Sequence, residues 1–207
     1  MLVSNVVLSK ERLTTISLKE SAKKALELIK KNDLLSIPVA ERDKLYGSIS
    51  KERIYETIFE VDGDKEELLS KLVVEDLMTK ELPLVKPTQQ LEDAIILLGK
   101  GHTPFVAVVD KYKKFQGIIT HKIVFRQFTE VLGINKGKKM SIITHETKGQ
   151  LSKISKIISQ NGGNIISTVV INLESAFNLR EIIIRIKPDN FDIIVRKIKE
   201  AGFNVQD

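Results

Sequence analysis

Ser50 and Thr120 are the residues of this chain best placed to do chemistry. Each ends a β-prone run, Gly47-Ser48-Ile49-Ser50 and Gly117-Ile118-Ile119-Thr120, and each stands directly before a helical pattern. A hydroxyl there caps a helix by accepting from a backbone N–H. A capped helix start is also a natural phosphate seat, because its free N–H groups and its dipole face the anion. Lys51 and Arg53 beside Ser50, and His121 and Lys122 beside Thr120, add positive groups at the same two places. The chemistry this implies is anion recognition. Ser, His and Asp all occur, but no nucleophile elbow or glycine-rich phosphate loop frames them, so catalysis is not expected. His102, His121 and His145 lack the i, i+4 spacing of helix-borne ligands, and the chain has no cysteine, so no metal site is expected either.

The elements that must carry these residues come in two copies. Ile37-Pro38-Val39 followed by Gly47-Ser48-Ile49-Ser50 matches Val106-Ala107-Val108 followed by Gly117-Ile118-Ile119-Thr120, at an offset of sixty-nine to seventy residues. The helices ahead of them carry Ala22, Ala25, Leu26 and Ile29 in one copy and Leu91, Ala94, Ile95 and Leu98 in the other. Both sets read i, i+3, i+4, i+7, an amphipathic stripe at the same phase. Each copy reads strand, helix, strand, tight turn, strand, helix, with helices expected over 20–31, 51–61 and 89–100. The helix after Thr120 is expected to turn Val124, Phe128 and Val131 inward. Residues 61–67 are polar and turn-rich and read as a surface linker. Neither copy exceeds about 60 residues, which buries a marginal core, so the two are expected to pack as one unit.

After the polar, lysine-rich stretch 132–139 the rhythm changes. A strand over 140–144 leads through Gly149 into a helix carrying Leu151, Ile154, Ile157 and Ile158, which stops at Asn161-Gly162-Gly163. Strands over 165–171 and 179–186 flank a turn at 172–178. A helix from Pro188 carries Phe191, Ile194, Val195 and Ile198, and a short strand over 203–206 closes the chain. The order βαββαβ is the split-βαβ, ferredoxin-like arrangement. The fold class is therefore α+β, a paired α/β repeat followed by a ferredoxin-like domain.

Composition narrows the setting. At 42% hydrophobic the 207 residues can build a core. The net charge of +6 comes from 33 basic and 27 acidic residues with no basic block, and only eight Phe, three Tyr and no Trp accompany it. A dedicated nucleic-acid binder concentrates charge and aromatics, so nucleic acid is not the expected partner. A small anionic ligand suits the mild excess. No apolar run approaches a membrane span, and residues 1–8 lack a basic leader and a cleavage site, so a cytoplasmic location is expected.

On Ile37-Pro38-Val39 with Gly47-Ser48-Ile49-Ser50, and Val108-Val109-Asp110 with Gly117-Ile118-Ile119-Thr120, the first 135 residues resemble a tandem pair of cystathionine-β-synthase (CBS) domains, the Bateman module. On the 140–144 strand, Lys148-Gly149-Gln150-Leu151 and Gly163-Asn164-Ile165, the rest resembles an ACT domain. The combination is similar to the acetoin-utilisation class of bacterial CBS–ACT proteins. The resemblance implies CBS domains over 1–66 and 67–135 and an ACT domain over 138–207.

It also implies a non-catalytic regulatory protein whose CBS pair binds an adenine nucleotide such as AMP, ADP, ATP or S-adenosylmethionine. Carried over by motif, the nucleotide-binding positions are Thr15, Pro38, Ser50, Ala107, Thr120, His121 and Lys122. The amino-acid-binding positions are Lys148, Gly149, Gln150, Leu151, Asn164 and Ile165. The ACT domain is expected to dimerise or to bind an amino acid, giving a homodimer with a regulated partner of unknown identity. The alternative is a constitutive oligomeric scaffold with empty CBS clefts. Two departures matter: the family's ribose-binding Asp, three residues after the hydroxyl, is Arg53 in one copy and Ile123 in the other, and the proline of the first copy is Ala107 in the second. Beside Thr120, where Ile123 cannot hydrogen-bond a ribose, binding must then rest on phosphate and base.

Overall fold

Short β-branched runs alternating with amphipathic helices give ten strands and eight α-helices in the computed structural model, which describes residues 1–101, 103–173, 178–187 and 189–206. The first unit, Met1–Phe125, contains β1 (Leu8–Ser9), α1 (Ala22–Lys31), β2 (Ser36–Glu41), β3 (Lys44–Ser50), α2 (Lys51–Glu60), α3 (Lys65–Lys71), α4 (Val74–Leu77), β4 (Leu84–Val85), α5 (Leu91–Lys100), β5 (Phe105–Val109), β6 (Phe115–Thr120) and the start of α6 (His121–Val131). The second unit, Arg126–Asp207, contains β7 (Lys138–His145), α7 (Gln150–Gln160), β8 (Ile165–Asn172), β9 (Leu179–Ile186), α8 (Phe191–Glu200) and β10 (Asn204–Gln206). The α+β class read from the sequence is the one that forms. Among the described residues no helix is long and apolar enough to cross a membrane.

The repeat is visible as two apolar cores of the same plan. Ala22, Ala25, Leu26 and Ile29 of α1 are buried with Ile37, Val39 and Ile49, while Leu91, Ala94 and Leu98 of α5 are buried with Val106, Val108 and Ile119. Burying one such isoleucine contributes about 1.5–3 kcal/mol. Even the irregularities repeat: β2 slips register against β3 at Val39/Ala40, and β5 against β6 at Val108/Val109.

The segment preceding each repeat is built into the other one. Val3 and Val6 lie in the core of the second repeat, and β1 pairs antiparallel with β6 through Leu8 and Ile118. Reciprocally, Val74 and Leu77 lie in the core of the first repeat, and Thr79 bridges Ser48 of β3 through two backbone hydrogen bonds of 2.8 and 3.0 Å. A third cluster, Phe105, Ala107, Phe115 and Ile118, is packed by Leu13, Ala40, Leu45 and Leu82 and joins the repeats.

Two expectations for this unit are corrected. Residues 61–67 are not all linker: α3 begins at Lys65, and Asp64 caps it by accepting from the N–H groups of Glu66 and Glu67. The helix after Thr120 buries Ile123 and Val124 only, in its first turn on the second core; Phe128 and Val131 are 46% and 65% exposed.

In the second unit the strand order is β10-β7-β9-β8, every neighbour antiparallel. With the βαββαβ connection this is the ferredoxin-like arrangement. Met140, Ile142, Ile182, Ile184 and Ile186 share a core with Ile154 and Ile158 of α7 and Ile194 and Ile198 of α8. Leu151, expected in that stripe, is 43% exposed in the opening turn, so the buried face begins one turn later at Ile154. The middle of the 172–178 turn and Pro188 lie outside the described residues.

Candidate functional site

Ser50 ends β3 in extended conformation and its Oγ accepts from the N–H of Arg53 at 3.1 Å, capping α2. Thr120 ends β6, and its Oγ1 accepts from the N–H of Ile123 at 3.3 Å. Each hydroxyl keeps its own O–H free of that bond to donate outward. Both line one cleft of about 1240 Å³ within the first unit, together with Pro38, Lys51, His121 and Lys122. A volume of this order exceeds the 300–1,000 Å³ of an ordinary small-molecule pocket.

The cleft walls follow from the exchanged segments. Leu8 and Arg12 from one exchanged segment and Thr79, Glu81 and Leu82 from the other all line it. Phe105 and Ile118, 2% and 6% exposed, add buried apolar lining. Lys51 donates its backbone N–H to the Leu35 carbonyl at 2.9 Å, tying the start of α2 to the loop ahead of β2. Thr103 donates from Oγ1 to the Phe105 carbonyl at 2.7 Å at the matching place in the second repeat. Among the described residues no buried side-chain nitrogen or oxygen lacks a partner.

Five of the seven expected nucleotide-binding residues therefore meet in one place. Thr15 is half-buried beside the lining residue Thr14, and Ala107 is fully buried in the apolar cluster joining the repeats; neither lines the cleft. Arg53 and Ile123, where the carboxylates of similar proteins would stand, are also outside the lining, and Ile123 is 6% exposed in the second core. Arg12, Asp33, Glu52 and Glu81 line the cleft without having been singled out from the sequence. The signal that could have found them is the repeat offset, which pairs Glu52 with Lys122 and Arg12 with Glu81.

The expected amino-acid-binding residues are in the second unit. Gly149 is left-handed, with φ of 87°, and precedes α7, where Gln150 donates from its amide to Thr147 Oγ1 at 2.6 Å. The backbone carbonyl of Asn164 accepts from the N–H of Lys187 at 3.0 Å, and Ile165 packs partly buried on the core. The two groups flank α7 at opposite ends, and eleven helical residues span about 16 Å, so within one chain they do not converge. Among the described residues no group of three or more His, Asp or Glu side chains is placed to hold a metal ion; His102 lies outside them.

A family model described as the CBS domain matches residues 3–60 and again 74–130. The chain belongs to the CBS-domain family. Its CBS pair is similar to a CBS domain-containing protein from Bacillus anthracis, at 25% identity and a TM-score of 0.57 over 62% of this chain and 93% of that one. It is also similar to Listeria monocytogenes CbpB in complex with c-di-AMP, at 30% identity and a TM-score of 0.56 over 64% and 98% of the two chains. CBSX2 in complex with AMP matches at 28% identity and a TM-score of 0.54, over 63% and 97%. The uncharacterised protein MJ1232 of Methanocaldococcus jannaschii is 28% identical over 122 residues, which is 59% of this chain and 34% of that protein, so the match spans about a third of the relative's length. These likenesses cover the CBS pair, the part of the chain that holds the cleft.

Proposed function

We propose that this chain is a non-catalytic regulatory protein whose CBS pair binds an adenine nucleotide in the cleft between its repeats. The observation that carries the reading is the convergence of Ser50, Thr120, His121 and Lys122, two hydroxyl-capped helix starts and their cations, on one cavity. The AMP and c-di-AMP complexes of CBSX2 and CbpB support adenine nucleotides as the ligand class. On this reading the CBS domains occupy 1–66 and 67–135, and residues 138–207 form an ACT domain that dimerises or binds an amino acid at Lys148–Leu151 and Asn164–Ile165. The whole is a cytoplasmic homodimer of the CBS–ACT, acetoin-utilisation type. Ligand binding would alter affinity for a regulated partner through the differential stability of two domain arrangements.

Burial of Ile123, which leaves no ribose-binding carboxylate there, favours a second reading, a constitutive scaffold whose cleft stays empty. Thermal unfolding with AMP, ADP, ATP and S-adenosylmethionine at millimolar concentration separates the two. A nucleotide at 100 times its dissociation constant stabilises by about 2.7 kcal/mol, and a melting curve unmoved by all four leaves the scaffold.

A further inference from the structure

The repeat makes the two ends of the cleft comparable position by position, and their charges are opposite. At the first-repeat end, Asp33 follows α1, Glu52 stands in the first turn of α2, and Glu81 lies two residues beyond the Thr79 bridge to β3. At the second-repeat end, His121 and Lys122 open α6, and Arg12 ends a 3-10 turn that follows β1 along β6. Lys122 thus stands where the first repeat has Glu52, and Arg12 where the second segment has Glu81. Among the described residues the one lining cation of the first-repeat end is Lys51, whose ammonium is 5.9 Å from the centre of the Tyr55 ring, within range of attraction to the ring face. That end is also the apolar one. Leu34, Leu35 and Tyr55 line the cleft, the two leucines at 37% and 81% exposure, and the leucines' second-repeat counterparts are Thr103 and Pro104.

We propose, building on the nucleotide-binding reading, that the cleft holds one nucleotide in one orientation, with phosphates at Arg12, Thr120 and Lys122 and the nucleoside at the first-repeat end. Carboxylates repel phosphate but accept from ribose hydroxyls and from an exocyclic amino group, and Glu52, Glu81 and Asp33 offer that acceptor set. Leu34, Leu35 and the Tyr55 ring give the base an apolar wall. The cations of the second-repeat end sit where the free N–H groups of α6 reinforce them.

Calorimetric titration of ATP and of adenosine against the wild-type chain and three single variants tests the orientation. Lys122 and Glu52 are exposed and Lys51 half-buried, so melting curves of the variants are expected to stay close to wild type. Lys122→Ala is expected to weaken ATP at least about tenfold and to leave adenosine within about twofold, the pattern of a lost hydrogen bond between charged groups. Glu52→Gln is expected to weaken adenosine and ATP together, by about three- to tenfold, and Lys51→Ala to weaken ATP at least about threefold less than Lys122→Ala does. If Lys51→Ala weakens ATP as much as Lys122→Ala does, or if Glu52→Gln tightens ATP, phosphate sits at the first-repeat end and the orientation is overturned while nucleotide binding stands. Failure of ATP to bind the wild-type chain overturns both.

Discussion

The carbonyl oxygen of Leu8 lies 2.2 Å from the point a β-carbon on Gly117 would occupy, and the Thr79 carbonyl stands at the same 2.2 Å from Gly47. Both contacts are backbone, and both belong to the exchanged segments, so the glycine repeated in each β-run is the place where one repeat admits the other's leading strand. Gly117 also has a φ of +154°. Gly117→Ala and Gly47→Ala are therefore expected to destabilise the first unit by about 2–4 kcal/mol, combining overpacking with a backbone shift. Urea unfolding of each variant measures this; a midpoint at the wild-type value would contradict the exchange of segments.

Ile123 occupies the position of a family carboxylate yet is packed with Val3, Val6 and Ile119. Ile123→Asp is expected to cost about 2–5 kcal/mol, through a lost side chain in the core and a charge without a partner, and to bring no gain in adenosine affinity. A well-folded variant with tighter adenosine binding would show that the ribose geometry of similar proteins carries over after all. Circular dichroism melting together with calorimetry reads both quantities.

Asp43, at the tip of the β2–β3 hairpin, hydrogen-bonds Lys10, lies 3.6 Å from Lys114, and accepts from the N–H of Phe115 through its backbone carbonyl at 2.7 Å. It thereby links the first repeat to the segment and hairpin of the second. The Lys10 hydrogen bond, then the charges of Lys10 and Lys114, hold its carboxyl below the ordinary 3.8. Because the folded-state value is depressed, the linked stability is whole above the unfolded value and is lost as the pH falls through the folded one. Unfolding midpoints are expected to drop below about pH 4, with a smaller drop in Asp43→Asn over the same window. An identical acid profile for the two chains would mean that solvent screens the pair completely.

The sheet of the second unit carries α7 and α8 on one face; Ile143, Val169 and Ile183 alternate out of register with its buried core residues and are only half-buried. Ser141, Glu181 and Arg185 share this face, and the half-covered Ile143, Val169 and Ile183 among them favour a second sheet over water. Light scattering at micromolar concentration is expected to give twice the chain mass, and Ile183→Lys to shift it toward one. A single-chain mass for the wild type would count against the dimer.

The repeat, its helix stripes, the hydroxyl caps and the βαββαβ order were legible in the residues themselves, because periodicity and capping are local: Ala22 to Ile29 and Leu91 to Leu98 bury the face their spacing marks, and Ser50 and Thr120 cap the helices they precede. The one local signal passed over was Asp64 followed by Glu67, the start of α3. What stayed hidden was set by contacts between distant segments. No spacing announces that residues 1–9 complete the second repeat or that Phe128 and Val131 miss a core that Val124 reaches. Sequence fixes which face of an element is apolar. Where that face finds its partner, and which charges end up around one cavity, is decided by segment exchange between the repeats, through backbone pairing at Leu8–Ile118 and Thr79–Ser48.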